Sequence, residues 1–323
     1  MTLDPTTPVR PTSDTALLLS RMSRTGFQGR KLGESAEVWK QMIQDPGVTI
    51  LLGLSGAMIP AGMQECLIEL VERRFVDVIV STGANIFHDI CEHCGKHHYL
   101  GHHHVDDTDL FSRGIDRIYD VFAFEDQFRE VDNVIAEYAA GVSGFTGSSA
   151  AFIQDLGSWL ARQYPAGRSL TATCARLGVP VFIPALCDSS IGIGLVIARR
   201  RGVDILVDQI CDADEITSLV EQAGRTGVVY IGGGVPKNFI QQTQVIGSIH
   251  ASECDGHEYA IQYTTDTPHF GGLSGCTFEE AISWGKESCT CRKVQCFCDA
   301  TIALPLVTSA LIGSGVIRAE KSG

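Results

Sequence analysis

Basic residues are scarce in this chain of 323 residues: 25 Lys and Arg stand against 38 Asp and Glu, a formal net charge of −13. That balance argues against nucleic acid or an anionic membrane as a main partner, and it suits a cationic substrate or a basic partner protein. Uninterrupted apolar runs are missing too. The most apolar stretch, 301–317, contains Pro305, Ser309, Gly313 and Ser314, is short for a bilayer span, and reads as a buried helix. Met1 to Ser20 is rich in Thr, Pro, Asp and Ser, without the basic start and apolar core of a secretory signal, so the expected compartment is the cytoplasm. No internal repeat stands out. At 44% hydrophobic and 20% charged, the rest is ordinary for a globular protein with room for a sizeable core.

Cysteine, by contrast, is plentiful. Twelve cysteines in a reducing compartment read as thiols, small hydrophobes or metal ligands rather than disulfides. Cys91 and Cys94 form a C-x-x-C pair close to His97, His98 and His102 to His104, which is a possible zinc knuckle; the alternative is that these histidines are surface loop residues. Cys289, Cys291, Cys296 and Cys298 alternate along a strand-like run, where Cys296 and Cys298 face the same way as Val294 and read as core.

From about residue 48 onward, strand and helix signals alternate. Short β-rich runs at 48–52, 76–80, 179–183, 203–207, 228–231, 259–263 and 293–297 are separated by helical patterns, with a more helical middle at 125–140 and 148–162. Such alternation predicts an α/β fold, a Rossmann-like, mostly parallel sheet with helices on both faces. We expect one large domain over 25–323 behind a polar N-terminal arm at 1–24.

In parallel sheets, ligands bind beyond the carboxyl ends of the strands. Small, hydroxylic and acidic residues recur there: Ser55 and Gly56, Thr82 and Gly83, Asp188 with Ser189 and Ser190, Gly232 to Gly234, Thr264 to Asp266, and Asp299. Gly232-Gly233-Gly234 follows a strand and precedes Pro236 at a helix start, an arrangement that lets backbone amides approach a phosphate. It is not GxGxxG, and a plain strand-to-helix turn is the competing reading. Asp188 and Asp299 are acceptors for ribose hydroxyls or, alternatively, helix caps. Near the C-terminus, Lys286 follows Glu279, Glu280 and Trp284. A lysine beside an indole and carboxylates is a candidate amine nucleophile, against a simpler reading as a solvated lysine at a helix end.

Together these segments resemble the deoxyhypusine synthase family. The resemblance runs from about Thr25 to the end of the chain and rests on TGFQGRKLGE, STGANIFHD, GIDRIYDVF, GGGVPKNFI, GGLSGCTFEEAISWGK and the final DA of CFCDA. It implies NAD as cofactor, with Thr82, Gly83, Ala84, Asp188, Gly233, Gly234, Thr265, Ser274 and Asp299 at or beside the dinucleotide. Lys286 falls on the family's imine-forming lysine, and Glu280 and Trp284 fall on residues that hold the polyamine. His88, Asn238 and Ser190 complete the expected substrate site. Members use NAD to oxidise spermidine, hold the aminobutyl fragment on the lysine, pass it to a second amine and reduce the product. They are tetramers.

Several positions depart from the eukaryotic pattern. His88 stands where a carboxylate contacts the polyamine, Ile193 and Leu273 replace acidic residues, Asn238 replaces a histidine, and Phe270 replaces an aspartate. GANIFHD, GGGVPKNFI and GGLSGCTFEEA look instead like archaeal and bacterial members. Asp89, Glu253, Asp255, Glu258, Asp266 and Glu279 are the other carboxylates available. His88 itself reads either as a base that shuttles protons or as a packed helix residue. The expected activity is aminobutyl transfer, with a protein lysine or a diamine such as putrescine as acceptor. The competing readings are a metal-binding structural module that kept the fold, and an amine oxidoreductase without transfer.

Overall fold

The structure is a computed structural model that describes residues 3–249 and 255–320, so Glu253 lies outside the described residues. Asp14 caps α1 (Thr15–Met22) by accepting the Leu17 amide, and α2 (Phe27–Gln44) buries Trp39, Met42 and Ile43. Strand β1 (Val48–Leu54) is buried at every residue but Thr49, as a strand covered on both faces requires. Then come α3 (Gln64–Glu72), β2 (Val78–Ser81) and α4 (Gly83–His93). A small antiparallel sheet follows, from β3 (Tyr99–Leu100), α5 (Asp107–Ser112), β4 (Ile115–Ile118) and β5 (Val121–Phe124), in the order β3-β5-β4. Next are α6 (Glu125–Gly141), β6 (Phe145–Gly147), α7 (Ser149–Gln163), α8 (Leu170–Leu177), β7 (Val181–Phe182), α9 (Ser190–Arg200) and β8 (Ile205–Val207). The chain ends with α10 (Gln209–Ala223), β9 (Arg225–Ile231), α11 (Gly234–Ile249), β10 (His257–Thr264), α12 (Phe278–Ile282), β11 (Glu287–Phe297) and α13 (Ala300–Gly313).

These elements pack as two compact units, one of Met1–Ser55, Glu69–Val80 and Ala213–Gly323, the other of Gly56–Ile68 and Ser81–Asp212. In the first unit the strand order is β11-β10-β9-β1-β2, with β1, β9, β10 and β11 paired in parallel. Their register sets the carboxyl ends level: Leu54 lies opposite Ile231, Ile231 opposite Tyr263, and Thr264 opposite Phe297. Helices cover both faces. Gly227 faces Met42 of α2, while Gly53, on the other face, lies against Tyr230 and against Ile240 of α11. The α/β class and the parallel sheet are those expected.

Differences are local and have physical causes. Within 1–24, where a polar arm was expected, Thr15–Met22 is a helix packed on α2 and α13, because Leu19 is buried there. The run at 203–207 does not lengthen the main sheet; β8 pairs with β6 in a two-stranded parallel ribbon of the second unit. Strand β11 begins six residues earlier than its apolar alternation suggests, at Glu287, with an irregularity between His257 and Tyr259 of its partner. Among the described residues, no helix is long and apolar enough to cross a membrane.

Candidate active site

In the first unit the level strand ends form a rim, and the glycine turn sits on it. Gly232 and Gly234 have φ of 78° and 56°, a backbone that side chains disfavour. Gly233 is required by contact: a Cβ there would meet Ser274 at 2.5 Å from Cα and 2.7 Å from Cβ. Ser55 Oγ donates to the Gly233 carbonyl, and the Gly234 amide donates to Ser274 Oγ at 2.9 Å. Gly233, Gly234 and Ser274 are thus brought together where α11 begins. Thr265 lies exposed just past β10, and Asp299 is exposed beside it in the row of strand ends. Asp299 also caps α13, its Oδ1 accepting the Thr301 amide at 2.7 Å and hydroxyl at 2.6 Å.

Lys286 occupies the link between α12 and β11. Its amide donates to Ala281 and its carbonyl accepts from the His257 amide, both at 3.1 Å, so its backbone is pinned at the amino end of β10. The side chain reaches back toward the rim. Nζ donates to Asn238 Oδ1 at 2.9 Å and lies 5.6 Å from the Trp284 ring centroid, within cation–π range. Asn238 stands four residues inside α11 from Gly234, so the backbone of the residue that tethers the amine lies about 6 Å along the helix axis from the glycine turn. Trp284 is 65% exposed and Glu280 lies exposed on α12, so both are available to a ligand.

Beneath the rim lies a polar network that the sequence did not announce. Lys237 is fully buried, and its Nζ donates to Gln262 Oε1 at 2.9 Å and to the Cys276 carbonyl at 2.7 Å. Gln262 Nε2 donates to the carbonyls of Gly232 and Ser274, both at 2.8 Å, and Gln295 Nε2 donates to Gln262 Oε1 at 2.9 Å. Burial lowers the Lys237 basicity, which Cys276 and Glu287 partly oppose. The network therefore clamps the 273–276 segment onto the glycine turn and places Ser274 where it is. One turn further along α11, Gln241 Nε2 donates to buried Glu287 Oε1 at 2.8 Å. Burial pushes the Glu287 carboxyl up to about 7 against the pull of Gln241, Lys237 and Lys286. Lys237 is part of the GGGVPKNFI segment, but nothing in its spacing separates a buried clamp from a solvated lysine.

In the second unit the expected dinucleotide residues gather at two helix starts. Thr82 caps α4, its Oγ1 accepting the Asn85 amide at 3.3 Å and donating to the Gly56 carbonyl at 2.8 Å. A Cβ at Gly83 would overlap the Ser189 side chain, so the first turn of α4 lies against the residue preceding α9. Thr82, Gly83, Ala84, Asp188 and Ser190 thereby cluster. Asp188 is exposed, and the N-cap position of α9 belongs to Ser189, so capping is not the role of Asp188.

His88 is on the same helix, buried by the rings of Phe87 and Phe128. Its Nδ1 lies 2.9 Å from His98 Nε2, and His98 Nδ1 lies 2.7 Å from Glu92 Oε1. His98 was expected in a surface loop; its side chain is only 6% exposed, because the link to β3 folds back on α4. His102 to His104 are exposed, with their rings against one another. Cys91 is buried with its thiol pushed well up by desolvation, and burial takes Cys94 up to about 11. Among the described residues, no three His, Cys, Asp or Glu side chains are placed to share an ion.

Three of the alternative carboxylates have other occupations, while Asp255 and Asp266 are exposed. Asp89 is fully buried and accepts from Gln64 Nε2 at 2.6 Å, the Leu170 amide at 2.8 Å, and the Thr171 amide and hydroxyl at 2.7 Å. Glu258 pairs with Arg225 at 2.7 Å and Glu279 with Lys293 at 3.3 Å. Of the positions that depart from the eukaryotic pattern, Ile193 and Phe270 are 52% and 90% exposed.

A parallel α/β sheet whose carboxyl rim carries a glycine turn, with a lysine tethered one helical turn along α11, places the chain among the parallel α/β folds with an amine near the strand-end rim. A deoxyhypusine synthase family model matches residues 17–311, and the chain belongs to the deoxyhypusine synthase family. It is 57% identical over 294 residues to probable deoxyhypusine synthase 2 of Methanosarcina mazei, covering 91% of this chain and 85% of that one. It is 51% identical over 300 residues to the protein of the same name from Archaeoglobus fulgidus, covering 93% and 98%. A crystal structure of a protein assigned as a deoxyhypusine synthase from Entamoeba histolytica superposes with a TM-score of 0.66 at 18% identity, covering 95% and 96% of the two chains. That likeness concerns the fold.

Proposed function

We propose that this protein is an NAD-dependent aminoalkyl transferase in which Lys286 carries the fragment between donor and acceptor amines. Membership of the family implies NAD use, and the residues present fit a dinucleotide. In the first unit α11 opens on glycine with a partly exposed first turn, where helix amides favour a pyrophosphate, and exposed Thr265 and Asp299 offer ribose partners; in the second unit, taken by itself, α4 opens on glycine and Asp188 is exposed. When bound, NAD would supply the oxidation of the donor amine and the later reduction of the product.

The chain's own residues do the rest. Trp284 covers an ammonium or a methylene chain, and Glu280 anchors a terminal amine. Asn238 holds Lys286 Nζ in one position through a neutral amide, so the amine is oriented without being locked to a carboxylate. Attack of neutral Nζ on the oxidised carbon forms the lysine C–N bond as the donor's own C–N bond breaks, releasing the rest of the donor as an amine and leaving a lysine imine; a second amine then attacks that carbon and displaces the Lys286 amine. The observation that carries this reading is the placement of Nζ against Asn238 and Trp284, one turn from the glycine turn.

The test incubates the protein with NAD, labelled spermidine and an acceptor, either a lysine-bearing protein or putrescine, and traps the imine with borohydride. Label on Lys286, and loss of transfer in Lys286→Ala with NAD binding retained, are the expected results. Transfer by Lys286→Ala overturns the reading. Label in the acceptor protein identifies deoxyhypusine formation, label in the diamine identifies homospermidine formation, and net NADH release without transfer identifies a plain amine oxidoreductase. The expected setting, a cytoplasmic homotetramer, is part of the same proposal.

A further inference from the structure

Cys296 and Cys298 stand at the carboxyl end of β11, where their alternation reads as two core positions on one side of a regular strand. The structure buries Cys296 completely, leaves Cys298 half-buried and sets the two sulfurs 3.3 Å apart. A flat strand does not hold its side chains at i and i+2 so closely, because each residue advances by about 3.3 Å and the two Cα atoms stand roughly 6.7 Å apart. Here the strand ends in a tight turn. The Cys298 amide donates to the Cys296 carbonyl at 3.1 Å, an i to i+2 bond that draws the two residues together. Gln28 of α2 holds the turn from outside: its Oε1 accepts the Phe297 amide at 2.7 Å, and its carbonyl oxygen lies 3.8 Å from Cys296 Sγ. A disulfide needs Cα atoms about 4.4–6.8 Å apart and sulfurs about 2.0 Å apart, so the turn brings the pair inside the first limit and side-chain rotation reaches the second.

We propose that Cys296 and Cys298 are a redox-active dithiol, a modification site that reacts with low-molecular-weight disulfides such as glutathione disulfide and closes to an intrachain disulfide. Cys298 is the attacking sulfur. It is the more exposed of the two, and the hydrogen bond from Cys296 holds its thiol below the ordinary value, against burial and Asp299. The same contact and burial keep Cys296 protonated, with Lys31 of α2 opposing. Tyr263, opposite Cys296 on β10, is held neutral by its own burial. The Cys298 thiolate attacks one sulfur of the glutathione disulfide, which breaks that S–S bond, forms a mixed disulfide and releases one glutathione. Cys296 then attacks Cys298 Sγ and releases the second. One S–S bond breaks and one forms, both cysteines are oxidised, two glutathiones are reduced, and the two cysteine protons pass to them. So short a ring strains the closed bond, so an excess of glutathione reopens it. Asp299 follows directly and caps α13, which places the device at the foot of that helix. Neither NAD nor a polyamine takes part, so the proposal stands apart from the transferase reading.

Trypsin releases residues 294–318 as one peptide in which Cys296 and Cys298 are the only cysteines, so the pair is read directly by mass. The full chain is treated with excess glutathione disulfide, alkylated and digested. The peptide is expected to appear unalkylated and lighter by two hydrogen atoms, its doubly alkylated form falling about tenfold, and excess glutathione should restore the open form. Cys296→Ser should retain one glutathione on Cys298, for want of a sulfur to displace it. In the native chain the mixed disulfide should resolve about tenfold faster than in the urea-unfolded chain, because the turn already holds the sulfurs in contact. A peptide that stays doubly alkylated, carries two glutathiones or links to a second chain overturns the proposal. Equal resolution in urea overturns it as well, since the folded turn would then contribute nothing.

Discussion

Replacing Gly233 by alanine separates a contact requirement from a backbone-angle requirement. The added Cβ would lie 2.5 Å from Ser274 Cα, 2.7 Å from its Cβ and 2.8 Å from its Oγ, all well inside van der Waals contact. Ser274 cannot retreat freely, since its carbonyl is held by Gln262 and its hydroxyl accepts from the Gly234 amide. Overpacking of this kind costs about 1–3 kcal/mol and the displaced hydrogen bond about 1 kcal/mol more. At about 2–4 °C per kcal/mol for a chain of a few hundred residues, Tm should fall by roughly 5–10 °C. NAD affinity, followed by calorimetric titration, should weaken at least about tenfold, which corresponds to about 1.4 kcal/mol at the turn. Adding Ser274→Gly removes the Cβ and Oγ contacts but leaves Cα, so the double variant should recover part of the Tm and not all. Gly234→Ala is the control. There the new Cβ meets nothing nearer than Ser55 Oγ at 3.9 Å, and only the φ of 56° opposes it, at about 1–2 kcal/mol. If Gly233→Ala is milder than Gly234→Ala, or the double variant is worse than the single, the close approach of Ser274 is not what demands glycine.

Glu287→Gln tests the buried carboxyl. Its folded value of about 7 exceeds the ordinary 4.5, so the folded state binds more proton between those values and the carboxyl's contribution to stability declines as pH rises through that window. The variant should match wild type below pH 4.5 and exceed it by on the order of 2 kcal/mol above pH 7, read from urea midpoints across pH 4–8.5; a difference independent of pH would refute the assignment. Asp89→Asn should destabilise by about 2–3 kcal/mol, because an amide NH2 in place of either oxygen must then face two of the four donors that converge on the carboxylate, one of them a backbone amide. Thermal melts at pH 7 decide that, and an unchanged Tm would mean that the donors find other partners.

The rim was legible in sequence because parallel strands end in a change of residue type. Apolar runs stop at Leu54, Ile231 and Tyr263, and serine, glycine, threonine or aspartate takes over at the next positions. Gly233 with Ser274, and Lys286 with Asn238, were named separately, and the structure brings each pair together. Illegible were the residues whose role depends on a neighbour distant in sequence. Lys237 looks like any helix lysine until Gln262 and Cys276, 25 and 39 residues away, fold around it. Asp89 passed for a spare anchor because only tertiary structure delivers the Leu170 and Thr171 amides to it. His98 lay in a polar, histidine-rich segment, and composition there gives no sign that its ring turns inward. Strand β8 had the right alternation, but periodicity carries no information about which partner a strand finds.

The substitutions at the expected polyamine anchors then take on a consistent meaning. Glu258 and Glu279 are engaged with Arg225 and Lys293, and Asp89 is saturated, so these carboxylates do not stand in for the acidic residues replaced by His88, Ile193 and Leu273. In the first unit, the exposed groups of the α12 segment before the lysine include the Trp284 indole and Glu280. A polyamine held there would rely on cation–π and methylene contacts more than on ion pairs, and such contacts discriminate by chain length while surviving added salt. A site with fewer fixed anions also leaves more of the task of deprotonating the ammonium to a neutral base.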